Sequence, residues 1–321
     1  MGSSLQRLTA GFLPCVGTAI LLTTAAANAE ENLWIYAKGT DTRPAGSFEL
    51  KLSDTIRIGK KSGDYTFHDI RPEIEYGLTN RLTIGAEIMI FDHDYEVDSP
   101  DLEPMFETQG GAGSRFNKTQ YGGYELTLKY NILSPYKDWI GLSLGLSYEN
   151  RDHYRLDGAD IDQDSFVGTL FLQKDFMDDT LITVLNIKTE FERRKSPGVL
   201  EEEIALDIAA GISYRVAPKW FIGLEYRHQS DYLNPQEDGV FDPELKRSSF
   251  DLSDIRIGSQ HQRGNYIGPT IHYAERKWWV TAGALWQFSG GGRADGESNH
   301  SGRNWDEHEE VHVGFSIGYE M

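Results

Sequence analysis

The chain has 321 residues, with 31 basic and 50 acidic side chains, a formal net charge of −19 and one cysteine. That sign argues against nucleic acid as a partner, since phosphate backbones are held by clustered Lys and Arg. With Cys15 alone, no intramolecular disulfide is possible.

The first 29 residues read as a secretory signal peptide. Arg7 is the only charge before Glu30, the stretch from Leu8 to Ala27 is apolar, and Ala27-Asn28-Ala29 supplies a small-x-small cleavage pattern. Pro14 and Gly17 make the stretch a poor spanning helix. Cys15 follows Pro14 and precedes more apolar residues, so it does not stand where a lipid-modified cysteine would. The expected mature domain is 30–321, without Arg7 and with a net charge of −20.

No later segment has the run of apolar residues that a transmembrane helix needs. Hydropathy is a poor test for a barrel, because its lipid-facing and lumen-facing residues alternate. Alternation dominates this chain. Leu82, Ile84, Ala86, Ile88 and Ile90 interleave with Thr83, Gly85 and Glu87. The same holds for Ile140 to Tyr148 and for Ile204 to Tyr214. Each run reads as a strand with one apolar face.

The pattern predicts about twelve strands, near 46–58, 64–76, 82–95, 119–130, 139–152, 165–176, 181–194, 202–215, 220–232, 261–273, 278–289 and 309–321. Pro72 and Pro269 weaken two of them, since proline cannot donate to a ladder. Short turns at 77–81, 131–138, 177–180, 216–219 and 274–277 alternate with longer polar connections at 96–118, 153–164, 195–201, 233–260 and 290–308. Outer-membrane barrels are arranged in this way, and an even strand count puts both termini on the periplasmic, short-turn side. Tyr76, Tyr130, Trp139, Tyr214, Trp220, Tyr273 and Trp278 gather near the short turns as a periplasmic aromatic girdle. Phe91, Tyr148, Phe191, Tyr226 and Phe288 are expected to form the outer one.

At the C-terminus, Val311, Val313, Phe315, Ile317, Tyr319 and Met321 alternate with His312, Gly314, Ser316, Gly318 and Glu320. This resembles the C-terminal strand signal of Gram-negative outer-membrane β-barrel proteins, although it ends in methionine rather than an aromatic residue. The resemblance covers the mature chain. It implies an all-β, transmembrane, antiparallel up-and-down barrel in the outer membrane, monomeric, with outer-membrane lipid and the barrel-assembly machinery as partners.

Four constellations bear on chemistry. His308-Glu309-Glu310-Val311-His312 matches the H-E-x-x-H zinc pattern, but that chemistry needs a helix, and on a strand the two histidines stand roughly 13 Å apart. No metal or other cofactor is expected. Asp160, Asp162 and Asp164 have the spacing of calcium-loop ligands, but Ser165 and Phe171 replace the required glycine and glutamate, so an acidic surface loop is the expectation.

His228-Gln229-Ser230 lies at the outer end of a strand whose even positions face lipid. A histidine and a serine so placed resemble the catalytic pair of outer-membrane phospholipases and lipid A deacylases. Asp231 and Tyr232 depart from the asparagine-glycine that follows the serine in the phospholipase motif. An orienting residue is not identifiable, and Asp242 is only a guess from spacing.

The inward parity carries Glu87, Glu125, Lys129, Glu149, Arg151, Lys188, Glu190, Asp207, Glu225 and Arg227. Such charges imply either a water-filled pore or an interior filled with ion pairs. The sequence favours a passive channel for small solutes, with cations or polyhydroxylated solutes ahead of anions. A lipid-acting hydrolase using His228 and Ser230 and a plugged structural barrel are the alternatives.

Overall fold

Strict alternation leaves each strand with one apolar and one polar face, and closing the sheet on itself puts the polar face inside. A computed structural model of the protein describes residues 32–61, 63–99, 104, 112–196, 199–233, 259–292, 299–300 and 302–321. The segment expected to be a signal peptide and Asp242 lie outside the described residues. The strands are β1 Phe48–Ile58, β2 Tyr65–Thr79, β3 Leu82–Val97, β4 Ser114–Leu133, β5 Gly141–His153, β6 Asp160–Phe176, β7 Leu181–Ser196, β8 Val199–Ala217, β9 Trp220–Leu233, β10 Ser259–Ala274, β11 Trp278–Gly292, β12 Asn299–His300, β13 Arg303–Asn304 and β14 Val311–Glu320. Strands β1 to β11 pair in sequence and β14 closes the ring between β11 and β1, a twelve-stranded antiparallel barrel. The short β12–β13 ribbon is a separate sheet that packs against β11, with Gln287 and Asn304 exchanging hydrogen bonds.

Apolar side chains coat the outside. Ile88, Leu144, Ile222, Trp286 and Phe315 are each about half exposed to the surroundings, as a lipid-facing wall requires. The residues of the C-terminal signal, Val313, Phe315, Ile317, Tyr319 and Met321, lie on this wall or at its rim.

The two prolines are accommodated where the ladder is already interrupted. Pairing of β2 with β3 passes from Ile70–Ile90 to Glu73–Glu87 without Pro72. Pairing of β10 with β11 passes from Ile267–Trp286 to Thr270–Gly283 without Pro269. The missing donor of proline therefore falls in a gap.

Three expectations change. Strand β6 begins at Asp160, so Asp160, Asp162 and Asp164 sit on a strand rather than in a loop. Their carboxylates are engaged by His153 at 3.1 Å, Lys195 at 3.4 Å and the Tyr148 hydroxyl at 2.5 Å. The connection expected at 195–201 shrinks to a hairpin, with Ser196 already paired to Val199. Phe91 faces the lumen, not lipid, and is fully buried with Phe67, Met89 and Tyr95. It shares the inward parity of Glu87 and Met89, because the period of a strand is two and Phe91 is an odd position.

Candidate functional site

On β9 the outward positions run Trp220, Ile222, Leu224, Tyr226, His228 and Ser230. On β10 they run Ile271, Pro269, Ile267, Asn265 and Arg263. The register sets His228 opposite Asn265 and Ser230 opposite Arg263. On β11 the odd positions Leu285 and Gln287 point inward and are buried. A bulge then pairs Asn265 with Ser289 and Tyr266 with Gln287, leaving Phe288 as the extra residue. That one-residue insertion turns Ser289 to the outer face beside Asn265.

These residues form one chain of hydrogen bonds at the lipid-facing end of the wall. The Tyr226 hydroxyl donates to Asn265 Oδ1 at 2.9 Å, and Asn265 Nδ2 donates to Ser289 Oγ at 3.1 Å. The amide is thereby fixed with its oxygen toward His228, whose Nδ1 lies 2.9 Å away. An amide oxygen only accepts, so Nδ1 carries the proton and Nε2 is left with a lone pair. That lone pair faces Ser230 Oγ at 3.1 Å. Nucleophile, base and orienting group thus stand in the order that acyl transfer by serine requires.

The sequence placed His228 and Ser230 together at the outer end of a lipid-facing strand, and the structure brings them into hydrogen-bond contact. It did not reveal Asn265, which is 37 residues from His228. The outward parity of Asn265 with Ile267 and Pro269 was visible, but the pairing register was not. Ser230 itself has no exposed surface, while Arg263 beside it is exposed.

Glu87, Glu125, Lys129, Lys188, Asp207 and Arg227 border the interior cavity, and Glu149, Arg151, Glu190 and Glu225 are buried. Glu73, Glu87, Glu125 and Glu149 stand side by side in register on β2, β3, β4 and β5. Arg71 reaches into this row, pairing with Glu87, with Glu125 at 3.4 Å and with Glu149 at 3.8 Å. Arg151 pairs with Glu149 and with Glu190 at 3.0 Å, and Lys188 also meets Glu190 at 3.0 Å. Arg227 meets Asp207 at 2.6 Å. Like charges placed directly opposite repel, so the arginines between them are a condition of the row existing.

A segment ahead of β1 crosses the lumen. The Glu225 carboxylate accepts the backbone N–H groups of Ile35 at 2.8 Å, Tyr36 at 2.8 Å and Ala37 at 2.7 Å. Asn186 and Lys38 exchange hydrogen bonds, Thr40 N–H donates to Gln173, and Lys129 donates to the Gly39 carbonyl. Trp34 packs on Gly211, where an added Cβ would come within 2.4 Å of the indole. Gly314 leaves room for Ile35 in the same way. Space remains in a cavity of about 270 Å³ bordered by Tyr36, Lys51, Arg71 and Glu87, and in a second of about 130 Å³ bordered by Arg151, Glu203 and Asp231.

The zinc-like pentapeptide is not helical. His308 and Glu309 precede β14 and His312 lies on it. Glu309 bonds His312 at 3.0 Å, and His312 bonds the Tyr36 hydroxyl at 2.8 Å, a structural tie between β14 and the crossing segment.

The profile of a family described as "Family of unknown function (DUF6662)" matches residues 26–321. Among curated protein sequences none matches. Among solved structures, an outer membrane channel from Pseudomonas putida F1 is similar at 9% identity and TM-score 0.55, over 88% of this chain and 98% of that one. The NanC porin is similar at 9% identity and TM-score 0.45, over 85% and 100% of the two chains. The KdgM porin, in complex with disordered oligogalacturonate, is similar at 11% identity and TM-score 0.42, over 84% and 98%. At 9% identity the likeness to the channel is one of fold alone.

Proposed function

Because the chain belongs to this family of unknown function, we propose its role from the geometry of its own residues: an outer-membrane hydrolase that cleaves acyl esters of lipids at the outer face of the barrel. The observation that carries this reading is the hydrogen-bonded line of Asn265, His228 and Ser230 on the lipid-facing wall. The signal segment would send the chain across the inner membrane, and the apolar wall would hold it in the outer one.

In this reaction Ser230 Oγ attacks the ester carbonyl carbon while its proton passes to His228 Nε2. The carbon–oxygen bond to the alcohol then breaks, and the alcohol leaves with that proton. Water attacks the acyl-serine, gives a proton to Nε2, and releases the fatty acid as the proton returns to Ser230. Asn265 is neutral, so it fixes the ring and its tautomer without adding a full charge beside the imidazolium. Ser230 is covered in this structure, so side chains around it have to swing aside for an ester to reach it.

Passage of solutes is the less supported role. The ion pairs and the crossing segment occupy much of the space that a pore would use.

The test is release of fatty acid from phospholipid and from lipid A in detergent micelles by the purified protein. Activity in the parent, with loss in Ser230→Ala and His228→Asn and unchanged heat-modifiable migration in gels, is the expected result. A folded parent that releases nothing from either lipid would overturn the proposal.

A further inference from the structure

We infer that Arg263 is the headgroup-recognition residue of the Ser230 site and selects lipids that carry a phosphate beside the scissile ester. This deepens the hydrolase reading and rests on it. Arg263 stands directly opposite Ser230 in the β9–β10 register, and both share the outer face with Asn265 and His228. Side chains so opposed have Cβ atoms roughly 5 Å apart. The arginine side chain is long enough to bring its guanidinium over the serine from that position. An anion bound there lies a few bonds from an acyl carbonyl held at Ser230, as the phosphate of a glycerolipid lies from its esters.

Depth supports the same occupant. Tyr226, Trp286 and Phe288 stand a few residues nearer the periplasm on the same outer faces, and aromatic residues of this kind mark the boundary of the hydrocarbon. Ser230 and Arg263 therefore sit just beyond it, at the level of headgroups.

Charge supports it as well. The lumen arginines Arg71, Arg151 and Arg227 are spent on carboxylates. Arg263 is exposed on the outer wall, and its planar fork suits two oxygens of one phosphate.

Two lipids with the same acyl chains, phosphatidylglycerol and uncharged diacylglycerol, separate the possibilities in micelles of neutral detergent. Arg263→Gln should raise KM for phosphatidylglycerol about tenfold or more and leave kcat within about twofold, with both constants for diacylglycerol unchanged. Arg263→Lys should recover part of the loss, because it restores the charge without the fork. Equal losses in kcat on both lipids would overturn the inference and assign Arg263 to the reacting carbonyl or to holding the wall. Unchanged constants on both would overturn it too.

A second measurement needs no hydrolysis. Native mass spectrometry of Ser230→Ala should show retained phosphatidylglycerol that is lost when Arg263→Gln is added. If the parent hydrolyses neither lipid but this difference appears, the hydrolase reading fails and the headgroup site stands. If the difference is absent, the headgroup site fails whatever the activity.

Discussion

Asn265 holds His228 by a 2.9 Å contact between Oδ1 and Nδ1, across a gap of 37 residues in sequence. Replacing Asn265 with alanine should lower kcat for fatty-acid release roughly a hundredfold or more and leave KM nearly unchanged, because the ring loses its tautomer and direction rather than its substrate. Tyr226→Phe removes the donor that keeps the amide from flipping, so its loss should be smaller and in the same direction. Steady-state kinetics on one lipid reads both. A rise in KM as large as the fall in kcat would point to general disturbance of the wall.

The crossing segment predicts a silent channel. Purified parent protein in planar bilayers should give no discrete conductance steps. Glu225→Ala strands the N–H groups of Ile35, Tyr36 and Ala37, each at roughly 1–3 kcal/mol, and should lower the temperature at which the folded gel band is lost. Glu225→Gln keeps one accepting oxygen and should fall between the two. Steps that appear in the alanine variant alone would identify the segment as the obstruction.

Arg71 is shared by the carboxylates Glu87, Glu125 and Glu149, the last of which also meets Arg151 and Arg155. Arg71→Ala should lower stability by about 3–5 kcal/mol, since it leaves charges of one sign facing each other in a space of low polarity. Adding Glu87→Gln should restore part of it. Denaturant midpoints in detergent give the comparison, and a full loss in the double variant would mean that Arg71 acts through packing.

The loop before β14 should make the barrel acid-sensitive. Burial pushes His308 down to about 3, and Lys60 and Arg57 outweigh the effect of burial on Glu309 and hold its carboxyl well below the usual range. His308 stays neutral in the fold where the unfolded chain takes a proton, so its share of stability is complete above its ordinary 6.5 and falls as the pH drops toward 3. The share of Glu309 is present above the ordinary carboxyl value and is lost at lower pH still. Unfolding temperature should therefore decline below about pH 6.5, by roughly 2–3 kcal/mol equivalents at pH 4.5. His308→Gln should flatten the first part of that decline. A profile identical to that of the parent would remove His308 from the account.

The barrel was legible because each strand is decided by its own residues: Ile204, Leu206 and Ile208 against Ala205 and Asp207 need no partner to declare two faces. Errors arose where parity was carried too loosely, as at Phe91, or where a polar run looked like a loop, as at Asp160 to Asp164. Asn265 stayed hidden for a different reason. Its role depends on which residue of β9 it meets, and a one-residue slip would have turned it into the lumen. The segment around Trp34 gave no signal either, since its partners are single residues on strands remote in sequence, such as Asn186 and Glu225. The bulge that turns Ser289 outward is likewise invisible without the facing strand.

Closure of the ring joins Phe48 to Met321 by two backbone hydrogen bonds, 3.2 Å and 2.9 Å long. The residues that fill the lumen lie just before Phe48, and their partners are spread over β6, β7, β9 and β14. A sealed cylinder offers no side door, so the filling has to be in place while the seam is open or be threaded in from one mouth. The order of events in assembly is thus written into the connectivity, and a fault at the seam would be met as chains that never mature rather than as barrels that melt early.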